Sequence, residues 1–244
     1  MPRFFASPEN ISDGSVVLFG DDAFHIARSL RMAVGDGVTV SDGRGTDYVC
    51  TLDYIRDTEC RLTVVSTHPS ESEPVSEITL FMAIPKGDKL EVITQKAVEL
   101  GATYIVPFES ERCIKRPAPD KAEKLVLRLN RIAYEAAKQC GRGRLPRVLP
   151  VSSFSEMCAA LSEEELSIFC YEGEGGSHLS ELLPKTPPSK IAVIIGSEGG
   201  FSEREAAAIC TAGAKQASFG RRILRCETAP DYALSVLSYV YEGR

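Results

Sequence analysis

Hydrophobic positions along this chain follow two rhythms, alternation by twos up to about residue 66 and short apolar runs interleaved with helical stripes from residue 78 onward. In the first stretch, Ser15–Phe19, Val38–Ser41, Thr46–Asp53 and Arg61–Ser66 mix β-branched or aromatic residues with polar ones, the mark of half-buried strands. Asp42-Gly-Arg-Gly45 reads as a tight turn between two of them. Asp21 or Asp22 is placed to cap a short helix with Phe24, Ala27 and Leu30 or Arg31 at helical spacing. These elements predict a small, mainly β domain over residues 1–72, a barrel. The polar, proline-bearing stretch Thr67–Glu77 is the best linker in the chain.

Beyond it, Ile78–Ile84, Tyr104–Phe108, Leu166–Tyr171, Lys190–Ile195 and Ala217–Phe219 read as strands. Most are continuous apolar runs, as in parallel strands covered on both faces. Between them, Asp88–Leu100 carries Leu90, Ile93, Ala97 and Leu100 on one helical face and ends at Gly101. Further helices are expected from about Pro119 to Gln139, from Ser202 to Ala212 and from Ala229 to Tyr241. Ser202 with Glu205 three residues on spells a capping box. This strand–helix alternation predicts an α/β domain over 73–244, with a parallel sheet of about six strands.

Charge changes this picture. The net charge is −6, yet residues 112–147 carry 11 basic and 3 acidic groups. A concentrated positive field on an otherwise acidic chain is the footprint of a phosphate-bearing partner. Lys115, Arg116, Arg142 and Arg144 are its candidate contacts, with Gly143 giving the loop freedom to fold onto RNA. Lys86 and Lys89 open a helix whose positive end favours phosphate. The eight cysteines are scattered without metal-ligand or redox spacing, and the three histidines are remote from one another, so no metal site is expected. No apolar stretch is long enough to span a bilayer and the N-terminus lacks an apolar signal core, which predicts a cytoplasmic protein.

Two stretches hold the candidate chemistry. In Ile191-Ala-Val-Ile-Ile-Gly-Ser-Glu-Gly-Gly-Phe-Ser-Glu203 an apolar strand ends in a glycine-rich turn around Glu198. Gly196, Gly199 and Gly200 let the backbone approach a ligand closely, and turns at the carboxyl ends of strands are where open α/β sheets bind ligands. The dinucleotide spacing G-x-G-x-x-G is absent, as is the phosphate-loop pattern. In Phe219-Gly-Arg-Arg-Ile-Leu-Arg-Cys-Glu-Thr-Ala229 a short strand empties into a loop holding Arg221, Arg222, Arg225 and Glu227.

These two stretches resemble the uridine-N3 methyltransferase family of small-subunit ribosomal RNA. The resemblance lies in Ile195-Gly-Ser-Glu-Gly-Gly-Phe201 and Leu224-Arg-Cys-Glu-Thr-Ala229. It extends to Pro2-Arg-Phe-Phe5, Lys86-Gly-Asp-Lys89, Gln95-Lys-Ala-Val-Glu-Leu-Gly101 and Gln139-Cys-Gly-Arg-Gly-Arg144. Ser197 stands where the family generally has proline, and Cys226 where threonine is common. The resemblance implies a PUA-like β-barrel that binds RNA, followed by a SPOUT α/β domain with a deep C-terminal trefoil knot. It also implies a homodimer acting on 16S ribosomal RNA or the small subunit, with S-adenosylmethionine as cofactor and no metal or membrane.

By the same resemblance, Tyr171, Glu172, Ile195, Gly196, Glu198, Gly199 and Gly200 belong to the cofactor site. So do Phe219, Gly220, Ile223, Leu224, Arg225 and Thr228. Arg3 and Arg222 join the substrate contacts. Uracil N3 must lose its proton before or during methyl transfer, so the site must stabilise negative charge on the base. Arg225, a planar two-point donor, is the candidate for that role; Glu198 or Glu227 is the proton acceptor or the group that orients Arg225. A non-catalytic RNA-binding ribosome-assembly factor is the alternative, and it has no need of both loops together.

Overall fold

A computed structural model describes residues 1–12, 14–173 and 175–242, and the chain forms two compact units. The first comprises Met1–Glu73 together with Ala137–Leu145; the second comprises Pro74–Ala136 and the chain from Pro146 onward. The first break falls between Glu73 and Pro74. The return of 137–145 to the first unit does not follow from any local pattern.

Period-two burial builds the first unit. Its strands are β1 (Arg3–Phe5), β2 (Ile11–Ser12), β3 (Ser15–Phe19), β4 (Gly37–Ser41), β5 (Thr46–Ile55) and β6 (Glu59–Pro69). They pair in the order β1-β4-β5-β6-β3-β2, parallel between β1 and β4 and antiparallel elsewhere. Among the described residues the ladder does not close from β2 back to β1, so the expected barrel is a half-barrel. Val16 and Leu18, Val38 and Val40, Cys50 and Leu52, and Cys60 and Leu62 point into one core. The short helix α1 (Asp21–Phe24) continues into a widened turn over His25–Ser29. That widening changes the angular step per residue, so Ala23 and Ile26 face the core. Phe24 and Leu30, read at one helical spacing, are 52% and 41% exposed.

Residues 137–145 are held to this unit by hydrogen bonds. The Gly143 carbonyl accepts from the Gly45 amide at 3.0 Å and from Ser41 Oγ at 2.7 Å. The Arg142 guanidinium makes a two-point pair with Glu73 at 2.9 and 2.8 Å. The amides of Gly143 and Arg144 donate to the same carboxylate at 2.8 and 3.0 Å.

The second unit runs β7 (Glu77–Ala83), α2 (Lys89–Glu99), β8 (Tyr104–Glu109), α3 (Pro119–Cys140, whose last residues belong to the first unit), β9 (Arg147–Val148) and β10 (Ser152–Ser153). It continues through α4 (Phe154–Ala160), β11 (Leu166–Cys170), β12 (Ser177–His178), α5 (Leu179–Leu182), β13 (Lys190–Ile195), α6 (Glu203–Thr211), β14 (Lys215–Ser218) and α7 (Thr228–Tyr241). The sheet order is β10-β8-β7-β13-β11-β14-β12, with β9 beside β8, and every pairing is parallel. From Ile78 to Ala83 and from Ile191 to Ile195 every residue is buried, as strands covered on both faces require. The capping box at the start of α6 is present as predicted: Ser202 Oγ accepts from the Glu205 amide, and Glu205 accepts from the Ser202 amide. Because β13 lies between β7 and β11 while β14 lies beyond β11, strand order reverses here. That is the position at which α/β sheets open a crevice.

Among the described residues no helix is long and apolar enough to cross a membrane. No group of three or more His, Cys, Asp or Glu among them is arranged to hold a metal ion.

Candidate active site

Parallel register sets the site. Cys170 at the end of β11 pairs with Ile195 of β13 on one side and Ala217 of β14 on the other. The three strands therefore end level, and the loops that follow them start from one height. Together they frame a cavity of about 470 Å³ in the second unit. Its inner end is formed by Cys170, Ile195, Ala217 and Phe201. Phe201 packs edge-on against Phe169 at 5.1 Å, and Phe169 stacks on Tyr171 at 5.3 Å. The wall is thus aromatic and rigid, while the rim carries backbone groups and charge. A medium-sized ligand with both an apolar body and polar ends suits such a site.

The glycine turn closes on itself: the Gly200 amide donates to the Ser197 carbonyl at 2.9 Å, and Gly200 is left-handed at φ 63°. At Gly196, which lines the cavity, a Cβ would meet Phe201 at 3.0 Å and the Gly200 Cα at 3.1 Å, so its smallness makes room for the turn's own packing. Gly199 faces Arg112, whose guanidinium donates to the Gly199 carbonyl at 2.9 Å. Ser197 is 6% exposed, and its hydroxyl has no hydrogen-bond partner among the described residues.

Lys89 is the electrostatic centre. Its Nζ lies 3.0 Å from Glu198 Oε1 and 3.0 Å from Glu227 Oε2. The Lys86 amide donates to both Glu198 oxygens at 3.2 Å. Hydrogen bonds to Glu198 and then Glu227 raise the Lys89 pKa above its ordinary value. Burial pushes the Glu198 carboxyl up, but the main-chain amides and Lys89 together outweigh it and hold the group below the usual range. Glu227 is lowered chiefly by its bond to Lys89. Both carboxylates are therefore charged at neutral pH. Cys226 Sγ sits 3.2 Å from Glu227 Oε2; burial and that contact push its thiol up to about 12. Arg225 is 83% exposed at the rim, with its nearest carboxylate, Glu227 Oε1, at 4.0 Å.

Most of the residues singled out for the cofactor meet in this cavity: Tyr171, Glu172, Ile195, Gly196, Glu198 and Gly200 from two loops. Phe219, Gly220, Ile223, Leu224 and Arg225 line it from the third, with Arg222 beside them. Gly199 and Thr228 lie outside the lining, next to residues that form it. Lys89, expected to meet phosphate, is instead a cavity residue neutralised by two carboxylates. Arg142, expected to grip RNA, is 3% exposed and already paired. The loop around it is not free either, since a Cβ on Gly143 runs into Ser70. Arg3 is bound to Asp47 at 2.6 and 2.9 Å. Arg144 and Lys86 have exposed side chains. Lys115 and Arg116 are exposed too, though Lys115 donates to the Gly87 carbonyl at 3.2 Å and Arg116 to the Ser110 carbonyl at 3.0 Å. Sequence reasoning missed Ser197, Phe201 and Cys226 as lining residues, although all three adjoin residues it chose. Arg112 carried a charge signal but no sign of its bond to the glycine turn.

Comparison with known proteins agrees with this geometry. Residues 71–238 match the family described as RNA methyltransferase domain, and residues 18–65 match RNA methyltransferase PUA domain. The chain is 33% identical over 229 residues to Ribosomal RNA small subunit methyltransferase E of Bacillus subtilis, which spans 91% of this chain and 89% of that protein. It is 31% identical to the protein of the same name from Synechocystis, over 99% of this chain and 78% of that one. The crystal structure of a Ribosomal RNA small subunit methyltransferase E from Neisseria gonorrhoeae bound to S-adenosyl methionine superimposes with a TM-score of 0.84 at 30% identity. That match covers 99% of this chain and 98% of the other.

Proposed function

The chain belongs to the ribosomal RNA small subunit methyltransferase E family, and from that premise we propose that it methylates N3 of a uridine in 16S ribosomal RNA, using S-adenosylmethionine. The observation that carries this reading is the cavity at the level ends of β11, β13 and β14, with an arginine-bearing loop at its mouth. The residues present fit the cofactor. The buried Ser197 hydroxyl has no partner among the described residues, the Gly200 turn brings main chain to the wall without a Cβ, and the half-buried Tyr171, Phe219 and Leu224 offer apolar surface to a ring. Tyr171, Glu172, Ile195, Gly200, Phe219 and Leu224 would hold it. Bound there, the cofactor supplies a methyl group already activated on a sulfonium, so the protein need not create an electrophile.

What the chain's own residues must do is accommodate charge on the base. As N3–H is lost, negative charge spreads over the uracil carbonyl oxygens, and a planar guanidinium answers it better than any other side chain. Arg225 is exposed at the cavity mouth and only weakly engaged by Glu227, so it is free to turn toward a base. Glu227 fits the orienting role, being within 4.0 Å of Arg225 on one oxygen while bound to Lys89 on the other. Glu198, also charged, is the nearer match to a proton acceptor, though its lowered pKa makes it a weak base. Exposed Arg222, Arg144, Lys86, Lys115 and Arg116 would meet RNA phosphates, and the target base would leave its stack to enter.

The reading includes a trefoil knot in the second unit, supported by the reversal of strand order and by the chain after β14 returning to pack α7 against α2. It also includes a cytoplasmic homodimer acting on the small subunit or its RNA. Mass spectrometry of 16S ribosomal RNA from a strain lacking the chain tests it: one N3-methyluridine should disappear and return with the intact gene. Calorimetric titration with S-adenosylmethionine separates it from a non-catalytic assembly factor, which would release no binding heat.

A further inference from the structure

Three separate pieces of chain meet at one ammonium. Lys89 opens α2, Glu198 sits in the turn after β13, and Glu227 immediately precedes α7. We propose that Lys89 is a positioning residue for methyl transfer, fixing the Glu198 and Glu227 side chains at the mouth of the cavity, beside the exposed Arg225 guanidinium. This rests on the methyltransferase reading above and adds to it a role for Lys89 distinct from gripping RNA. A phosphate ligand is a poor match for this lysine. Its charge is already met by two carboxylates, the cluster of three carries net negative charge, and a phosphate would have to displace both.

The surroundings separate this role from support of the fold. About two turns along, Lys96 of α2 bonds Asp231 of α7 at 2.9 Å. That second tie does not involve Lys89, and α2 also contacts α7, so loss of Lys89 acts first on the carboxylates. The groups facing the cluster are Lys89 and the Lys86 amide from the α2 side, Glu198 from the turn, and Arg225, Cys226 and Glu227 ahead of α7. Lys96 and Asp231 lie beyond. With the thiol of Cys226 pushed up to about 12, Glu198 and Glu227 are the members nearest the cavity that take up protons on acidification, and with Lys89 in place they do so only below the usual carboxylate range. Without the ammonium, two neighbouring carboxylates repel and bind protons more readily.

The test compares the wild type with Lys89→Met and Lys89→Arg in single-turnover methylation of 16S ribosomal RNA from about pH 4 to 8, a range that reaches below the usual carboxylate values so that the acid limb is read. Side-chain carboxyl titrations by ¹³C NMR on labelled protein give a readout independent of turnover. Lys89→Met should slow transfer about a hundredfold, the scale of a misplaced catalytic group. RNA affinity and its salt dependence should not change. Its acid limb and the Glu198 and Glu227 titrations should move toward neutral pH by about one unit, and Lys89→Arg should recover most of the rate. Wild-type turnover in Lys89→Met, or unmoved carboxyl titrations, would overturn the role. So would a variant whose defect is weaker RNA binding with a salt slope reduced by about 0.7–0.9, the mark of one lost phosphate contact. A wild type that methylates no ribosomal RNA would instead refute the function on which the inference rests.

Discussion

A Cβ on Gly200 would meet only Glu172 Oε1, 3.4 Å away, but the backbone there is left-handed at φ 63°. A non-glycine residue in that conformation costs roughly 1–2 kcal/mol. At Gly196 the backbone is permissive and the space is not, because Phe201 and Gly200 stand at 3.0 and 3.1 Å; overpacking of that kind costs about 1–3 kcal/mol. Gly196→Val should therefore lower the melting temperature along with cofactor binding. Gly200→Ala, which adds one small group beside Glu172, should weaken S-adenosylmethionine in calorimetry with the smaller loss in the melt. Equal melting losses would contradict the distinction. Arg225 belongs to this scale as well. Arg225→Lys keeps the charge and loses the two-point donor, so single-turnover methylation should fall by about 2.7–4 kcal/mol in barrier terms, a hundred- to a thousandfold. Binding of RNA and cofactor should be nearly unchanged. Transfer within about threefold of wild type, under about 0.7 kcal/mol, would remove Arg225 from the chemistry.

The segment 142–144 sets two arginines one residue apart in opposite circumstances. Arg142 is buried against Glu73, and removing one partner of a buried pair costs about 3–5 kcal/mol. Arg144 is exposed. Arg142→Ala should show its effect in urea or thermal unfolding. Arg144→Ala should leave stability alone and reduce the salt slope of RNA binding by about 0.7–0.9; the same outcome for both variants would contradict the structure. The pair also marks what a sequence can tell. Lys190–Ile195 and Ser202 with Glu205 announce themselves within a few residues, because an apolar run and a capping box are local physics. The glycine turn and arginine loop were legible for the same reason. Strands β9, β10 and β12 have two residues each, too few to carry a period. Arg142 finds Glu73 69 positions away, and Lys89 finds Glu198 and Glu227 across three loops. Charge composition reports how many cations a segment has and nothing of which are already answered.

At the scale of the whole molecule, several carboxylates are held below their ordinary pKa. Arg28 does this to Asp57, the Ser153 amide to Glu156 and the Ser189 amide to Glu165, with Glu198 and Glu227 alongside. A depressed folded-state pKa contributes stability that is present above the unfolded value, about 4 for these groups, and is lost as pH falls through the folded value. Glu164, raised by burial, works in the opposite sense and offsets part of the loss. Calorimetric melting temperatures should be flat above about pH 6 and decline below about pH 4.5; a flat profile down to about pH 3 would contradict this reading. Finally, the first unit is not written in one continuous stretch of chain. Its Ser41 hydroxyl, Gly45 amide and Glu73 carboxylate are satisfied by residues 142–144, which are encoded after the start of the second unit. A recombination event that copied only the first 73 codons would transplant a sheet with its seam undone. The half-barrel and the loop 142–144 therefore travel as one unit, and a fragment of the first 73 residues would lack the partners of Gly45 and Glu73.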